Sequence, residues 1–295
     1  MRRVLNRLWL CLAALPLFCS CMNYDDCGNT SLDYESLDVS FKATLPLQYS
    51  LNEEMSFGAC GLCTRDGKTD VNMSAVPVSK MAHTMSAPYY FFSKTDEDAI
   101  VGLKGDHNYR FYAYYPHDPS CTDMAAVPVN IPSVITYDEN APALSPLIVA
   151  SATVTSIIAP VPMTFTAPAS CQMTIRIPDT ACKVIKSIRM YPGNESAWGE
   201  KKGRFAFSGT YDAFTGKITE DPATVSTSIT VDFGPAGYEL QPGYLDVSFL
   251  MGEAKYVTGG VKLAVTDIDG VTTVKEMYNA RQTFDAGSSY TYTMK

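Results

Sequence analysis

The chain has 295 residues, with 23 basic against 31 acidic, a formal charge of −8 and 18% charged residues overall. An acidic surface repels a phosphate backbone, which argues against nucleic acid as a partner. Tyr, Thr, Ser and Val are plentiful and Gly and Pro are scattered, a mix that favours strands and turns over helices.

The first 20 residues read as a segment that is removed. Arg2, Arg3 and Arg7 form a basic end, and Leu8 to Phe18 is an apolar run of eleven, too short to span a bilayer. Cys19-Ser20-Cys21 and the polar Met22-Asn23-Tyr24-Asp25-Asp26 follow. Cleavage before Cys21 and acylation of that cysteine are expected, because the stretch resembles the lipobox of bacterial lipoproteins. Phe18 departs from the leucine usual there, with Leu17 beside it. Each buried methylene of an acyl chain contributes about 0.8 kcal/mol, so a multiply acylated (palmitate-type) Cys21 would hold the chain on a membrane. Asp25 and Asp26 resemble the surface-export signal of Bacteroidota lipoproteins, which implies the outer face of the cell outer membrane. Removal of residues 1–20 leaves 20 basic and 31 acidic residues, a net charge of −11. It also leaves 275 residues, too many for one β-sandwich of about 100 and enough for two.

Six of the nine cysteines remain after the signal and Cys21 are set aside: Cys27, Cys60, Cys63, Cys121, Cys171 and Cys182. An even number in an exported chain is compatible with three disulfides, with no pairing specified, and equally with buried thiols that act as small hydrophobes. Cys60-Gly61-Leu62-Cys63 has redox-motif spacing, but no helix start follows to lower a thiol pKa. A zinc site lacks a second half.

Residues 21–35 read as a lipidated tether. From Leu37 to Leu47 every odd position is apolar and every even one is Asp38, Ser40, Lys42, Thr44 or Pro46. This period of two places one face in a core, and Pro46 puts the strand's end at an edge. Phe57–Cys63 is expected as a second strand, Thr64-Arg65-Asp66-Gly67 as a turn, Pro88–Phe92 as a short aromatic run and 94–98 as a charged turn. In 109–115, Tyr109, Phe111, Ala113 and Tyr115 face one way, Arg110, Tyr112 and Tyr114 the other. The prolines of Val127 to Ile135 keep that stretch off a central position. A boundary is expected at 158–159, dividing an N-terminal sandwich (36–158) from a C-terminal one (159–295). Beyond it come strands at 163–166, 171–177, 183–191, 203–211, 217–219, 226–233, 244–251, 261–266 and 271–278. Asp212 to Gly216 and Asp267 to Gly270 are hairpin turns between neighbouring strands. Tyr290, Tyr292 and Met294 share a face of a last strand that runs through Lys295.

Little in the chain suggests catalysis, a cofactor or a metal. His83, His107 and His117 sit in turn-like contexts, and no nucleophile–base, zinc or phosphate-loop motif occurs. Asp96-Glu97-Asp98 reads as a solvated turn. The tyrosines at 89–90 and 112–115 are a possible sugar-stacking platform, though alternating aromatics also fill sandwich cores. Asn194-Glu195-Ser196 and Asp179-Thr180-Ala181 match short glycosylation acceptor patterns, both weak signals.

Several stretches together resemble the fimbrillin-like family of Bacteroidota surface lipoproteins. They are the lipobox with Tyr24-Asp25-Asp26, the alternating first strand, Tyr112-Ala113-Tyr114-Tyr115-Pro116, the pair Met163–Phe165 and Cys171–Ile177, and the terminal run from Phe284 to Tyr292. The resemblance implies two tandem transthyretin-like β-sandwich domains, export as an outer-membrane lipoprotein, and a role as stalk, tip, anchor or accessory subunit of a fimbrium. Its implied partners are other fimbrial subunits and a surface ligand that the residues do not identify. In polymerising members a protease cuts after a basic residue behind the first strand, and the C-terminal strands of another subunit fill the vacated groove. Here the removed strand would be 37–47 and the donor would be the tail carrying Tyr290, Tyr292 and Met294. This chain has no Lys or Arg between Leu47 and Phe57. Arg65 is therefore the candidate processing site, and an unprocessed tip, anchor or accessory subunit becomes as good a reading as a stalk. The competing reading is a surface lipoprotein that binds glycans through exposed aromatics.

Overall fold

Alternation of apolar and polar residues is the local cause of most of the fold, since each strand must bury one face and pair both backbone edges. The computed structural model describes residues 41–46, 58–61, 109–118, 120–140, 146–155, 161–194 and 204–295. It also describes the backbone of strands Asp33–Tyr34, Gly58–Arg65, Lys68–Asp70, Ala82–His83, Tyr89–Ser93, Leu103–Lys104 and Asn108–Tyr115. Cys21, His107 and the acidic run 96–98 lie outside the described residues. Every described element is a strand, as expected of an all-β chain. No described helix is long and apolar enough to cross a membrane.

Two four-stranded sheets enclose the first core. One runs in the order Val161–Thr164, Phe41–Thr44, Tyr89–Ser93, Ala82–His83; the other is Ile148–Val154, Asn108–Tyr115, Gly58–Arg65, Lys68–Asp70. Phe41, Ala43, Phe111, Ala113, Ile148 and Met163 meet between them. The second core lies between a six-stranded sheet and a three-stranded one. The larger sheet is ordered Val134–Thr136, Ile229–Asp232, Val184–Pro192, Val261–Asp267, Thr272–Tyr278, with Tyr238–Glu239 also paired to Val184–Pro192. The smaller is Tyr244–Gly252, Ser170–Pro178, Ser289–Thr293. Its central strand buries Cys171, Met173, Ile175 and Ile177 and turns Gln172, Thr174 and Arg176 outward. The hairpin turns form as expected. The Asp212 carboxylate accepts the N–H groups of Phe214 and Thr215 and the Thr215 hydroxyl. Gly216 then takes φ +71°, which a side chain rarely tolerates.

The strands do not divide at the expected boundary. Val161–Thr164 pairs with Phe41–Thr44, and Val161, Met163 and Phe165 belong to the first core. Val127–Ile131 pairs with Phe207–Asp212, and Val134–Thr136 runs parallel to Ile229–Asp232. A third cluster joins Cys60, Tyr112, Tyr114, Val127, Val129 and Ile131 to Phe207 and Tyr211. The halves are thus interleaved, because the proline-bearing edges of 127–136 find partners in the later strands. Within the expected tether, Asp33–Tyr34 pairs with Leu103–Lys104.

Ile175 is fully buried at the centre of the second core, whereas Thr174 points outward and shares a 2.8 Å hydrogen bond with the Ser248 hydroxyl. In urea unfolding, Ile175→Ala should lose about 2–5 kcal/mol, while Thr174→Ala should stay within about 1 kcal/mol of the parent.

Candidate assembly site

The two strands for which the resemblance implies a role in assembly are held in opposite ways. Phe41–Thr44 is sandwiched in its sheet: parallel to Val161–Thr164 on one side, antiparallel to Tyr89–Ser93 on the other. Phe41 is 1% exposed, Ala43 0% and Leu45 8%, and the Phe41 ring meets Phe111 edge-on at 5.5 Å. The Phe165 N–H donates to the Thr44 carbonyl at 2.9 Å, extending the ladder past the strand. Taking this strand away would open an apolar slot and strip two backbone edges of their partner.

Ser289–Thr293, by contrast, is bonded among the described residues on one side only, parallel to Ser170–Pro178. Tyr290 and Tyr292 are half-buried and Met294 is buried, all against the second core, so the shared face read from the sequence is present. Tyr290 packs edge-on to Phe284 at 5.1 Å, and its hydroxyl accepts the Asp285 N–H at 2.8 Å. The Tyr292 hydroxyl donates to the Glu276 carbonyl at 3.1 Å, and the Met294 N–H donates to the Arg176 carbonyl at 2.9 Å. On the outer face beside it, Arg176 grips Asp246 with two bonds of 2.8 and 2.9 Å, which holds that carboxyl below its ordinary range.

A cleft of about 430 Å³ lies where the two strands approach one another. Leu45 and Pro46, at the exit of the first strand, form one wall, and the 286–289 loop that leads into the terminal strand forms another. Phe165, Gln172 and Leu250 also line it. No local sequence signal marks this juxtaposition, because it depends on parallel pairings between segments far apart in the chain.

The remaining candidates fall elsewhere. Arg65 ends the strand Gly58–Arg65, its backbone paired to Lys68, so Thr64 and Arg65 belong to a strand rather than to the expected turn. Tyr112 and Tyr114 are 5% and 1% exposed, which rules them out as a sugar platform. They pack in the third cluster, Tyr112 edge-on to Phe214 at 5.0 Å. The Tyr89 and Tyr90 side chains lie outside the described residues. Cys60, Cys121 and Cys171 are buried unbridged thiols and Cys182 is a half-buried one, so three disulfides do not form. The Cys27 and Cys63 side chains are outside the described residues. No cluster of metal-ligating side chains occurs among the described ones.

The described residues form a layered β fold in which Phe41–Thr44 fills the first core and Ser289–Thr293 lies at a sheet edge. The chain belongs to the fimbrillin-like family, whose model matches residues 59–295. Membership makes it a structural component of the fimbrial kind, at the cell surface. The fold is similar to that of a protein assigned to cell adhesion from Bacteroides uniformis, at 18% identity and a TM-score of 0.55, over 88% of this chain and 93% of that one. It is also similar to a protein assigned to cell adhesion from Bacteroides ovatus, at 12% identity and a TM-score of 0.56, over 87% and 92%. The tip fimbrial protein Mfa3 of Porphyromonas gingivalis is more distant, with a TM-score of 0.41 at 10% identity over 87% and 94%. No curated protein sequence matches the chain.

Burial pushes the Cys60 and Cys171 thiols up from an ordinary 9.0 to about 12. Above pH 9 the unfolded chain gives up these protons while the folded protein keeps them. Folding stability should therefore fall from pH 9 towards pH 12, by up to about 1.4 kcal/mol per pH unit for each thiol. Denaturant titrations across that range should show a shallower fall in a Cys60→Ala/Cys171→Ala variant.

Proposed function

We propose that the protein is a subunit of a surface fimbrium, exported as a lipoprotein acylated at Cys21, and that it joins other subunits by exchange of β-strands. The observation that carries this reading is the double pairing of Phe41–Thr44 together with its buried Phe41, Ala43 and Leu45. A strand with both edges bonded and one face in the core is one whose loss creates a groove that only another strand can satisfy. The terminal strand suits the donor role, since one ladder must break for it to leave and its apolar face carries Tyr290, Tyr292 and Met294.

The position of Arg65 bears on processing. A cut after it would release Phe41–Thr44 and Gly58–Arg65 together, one strand from each layer of the first core. That larger loss favours a role in which the chain stays uncut, as a tip, anchor or accessory subunit that offers its terminal strand, over a polymerising stalk. The glycan-binding alternative loses Tyr112 and Tyr114, which are buried.

Limited trypsin digestion of the purified mature protein separates these roles. An uncut subunit should remain monomeric in SDS. A stalk should shed an N-terminal fragment ending at Arg65 and form SDS-resistant ladders, which truncation of residues 289–295 should abolish. Metabolic labelling with an alkyne palmitate analogue should mark the protein, and Cys21→Ala should lose the label. An unlabelled parent would overturn the lipoprotein assignment.

A further inference from the structure

The two assembly strands share one support. The stretch 161–178 is continuous in sequence. Its first part, Val161–Thr164, runs parallel to Phe41–Thr44, and its second, Ser170–Pro178, runs parallel to Ser289–Thr293. Between them Thr166 and Val149 exchange both backbone hydrogen bonds at 2.9 Å, and the Ala169 carbonyl accepts the Glu253 N–H at 3.2 Å. We propose that this strap couples the two strands, so that loss of Phe41–Thr44 lowers the cost of releasing Ser289–Thr293.

The contacts that would carry the coupling line the cleft. When the first strand leaves, Phe165 loses the Thr44 carbonyl that its N–H bonds at 2.9 Å. Val161, Met163 and Phe165 lose the buried partners of the first core at the same time. Immediately downstream, the Gly287 N–H donates to the Ser170 carbonyl at 2.9 Å, and Ser288 accepts the Gln172 N–H at 2.9 Å. Gly287 takes φ +75°, and a β-carbon there would lie 3.6 Å from the Ala167 carbonyl oxygen. The loop that launches the terminal strand is therefore seated on Ser170 and Gln172, a few residues along the same stretch from Phe165, which the first strand steadies. The two hydrogen bonds at Thr166 are the pivot: they hold the strap to Ile148–Val154 while the segments on either side respond. The device rests on the strand-exchange reading for its purpose: in an uncut subunit it keeps the terminal strand sheathed, and displacement of the first strand, by a partner or by cleavage, releases it.

Hydrogen exchange on the monomeric mature protein tests the coupling without requiring assembly. Phe41→Ala and Leu45→Ala weaken the first strand, and Val129→Ala is the control, since among the described residues its strand Val127–Ile131 forms no ladder with either part of the strap. Coupling between sites is typically worth roughly 5–150-fold in an equilibrium. In both strand variants the amides of 290–294 should exchange about tenfold faster than in the parent, with little change in the control. Because coupling is reciprocal, truncation of 289–295 should speed exchange at 161–164 by a similar factor. The proposal is overturned if 290–294 keeps its protection while 161–164 loses it, or if Val129→Ala accelerates 290–294 equally. Failure to assemble would sink the strand-exchange reading and leave this result standing; unchanged protection at 290–294 would do the reverse.

Discussion

The parallel ladders on either side of Thr166 are what the rest of the molecule depends on. Antiparallel strands can close through a short turn, but a parallel pair needs a long connection between its members. Here the connections run through most of the chain: residues 45–160 link Phe41–Thr44 to Val161–Thr164, and residues 179–288 link Ser170–Pro178 to Ser289–Thr293. The first excursion supplies most of the buried residues of the first core, and the second most of those of the second. Phe41–Thr44 and Ser289–Thr293 are consequently brought to neighbouring positions along one stretch, although local chemistry gives neither any affinity for the other.

Once that framework is fixed, side-chain packing explains which edges are closed. Val127–Ile131 has Pro128 in it and pairs with a single neighbour, Phe207–Asp212. Pro162 likewise sits in Val161–Thr164, at an edge of its described sheet. Proline lacks the N–H of a central ladder position, so each edge falls where the residue allows it. The third cluster then fills the space between the layers with Tyr112, Tyr114, Met124 and Phe207. Its two tyrosines belong to a strand whose other face already serves the first core.

That strand shows how far local reading reaches. The alternation of 109–115 specifies two faces, and the structure keeps both assignments. It does not specify that the Tyr112 and Tyr114 face is covered, because the cover comes from residues near 127–131 and 207–211. The turns at Asp212–Gly216 and Asp267–Gly270 were readable from the residues, since the chemistry that makes them lies within five positions. The boundary at 158–159 was not, since strand pairing over more than a hundred residues leaves no local mark. The same limit applies to the cysteines: their spacing allowed bridges, whereas Cys60, Cys121 and Cys171 occupy apolar interiors as small thiols. For the assembly site, Tyr290, Tyr292 and Met294 were readable as one face, and the cleft that joins their loop to Leu45 and Pro46 was not.

The interleaving of the halves has a mechanical meaning. Domains joined by a linker or by a small polar contact move independently by default. Here, Val127–Ile131 is bonded along its length to Phe207–Asp212, and buried aromatic and aliphatic side chains fill the junction. A load carried across this junction has to break that ladder and expose those side chains before the two layered cores can part.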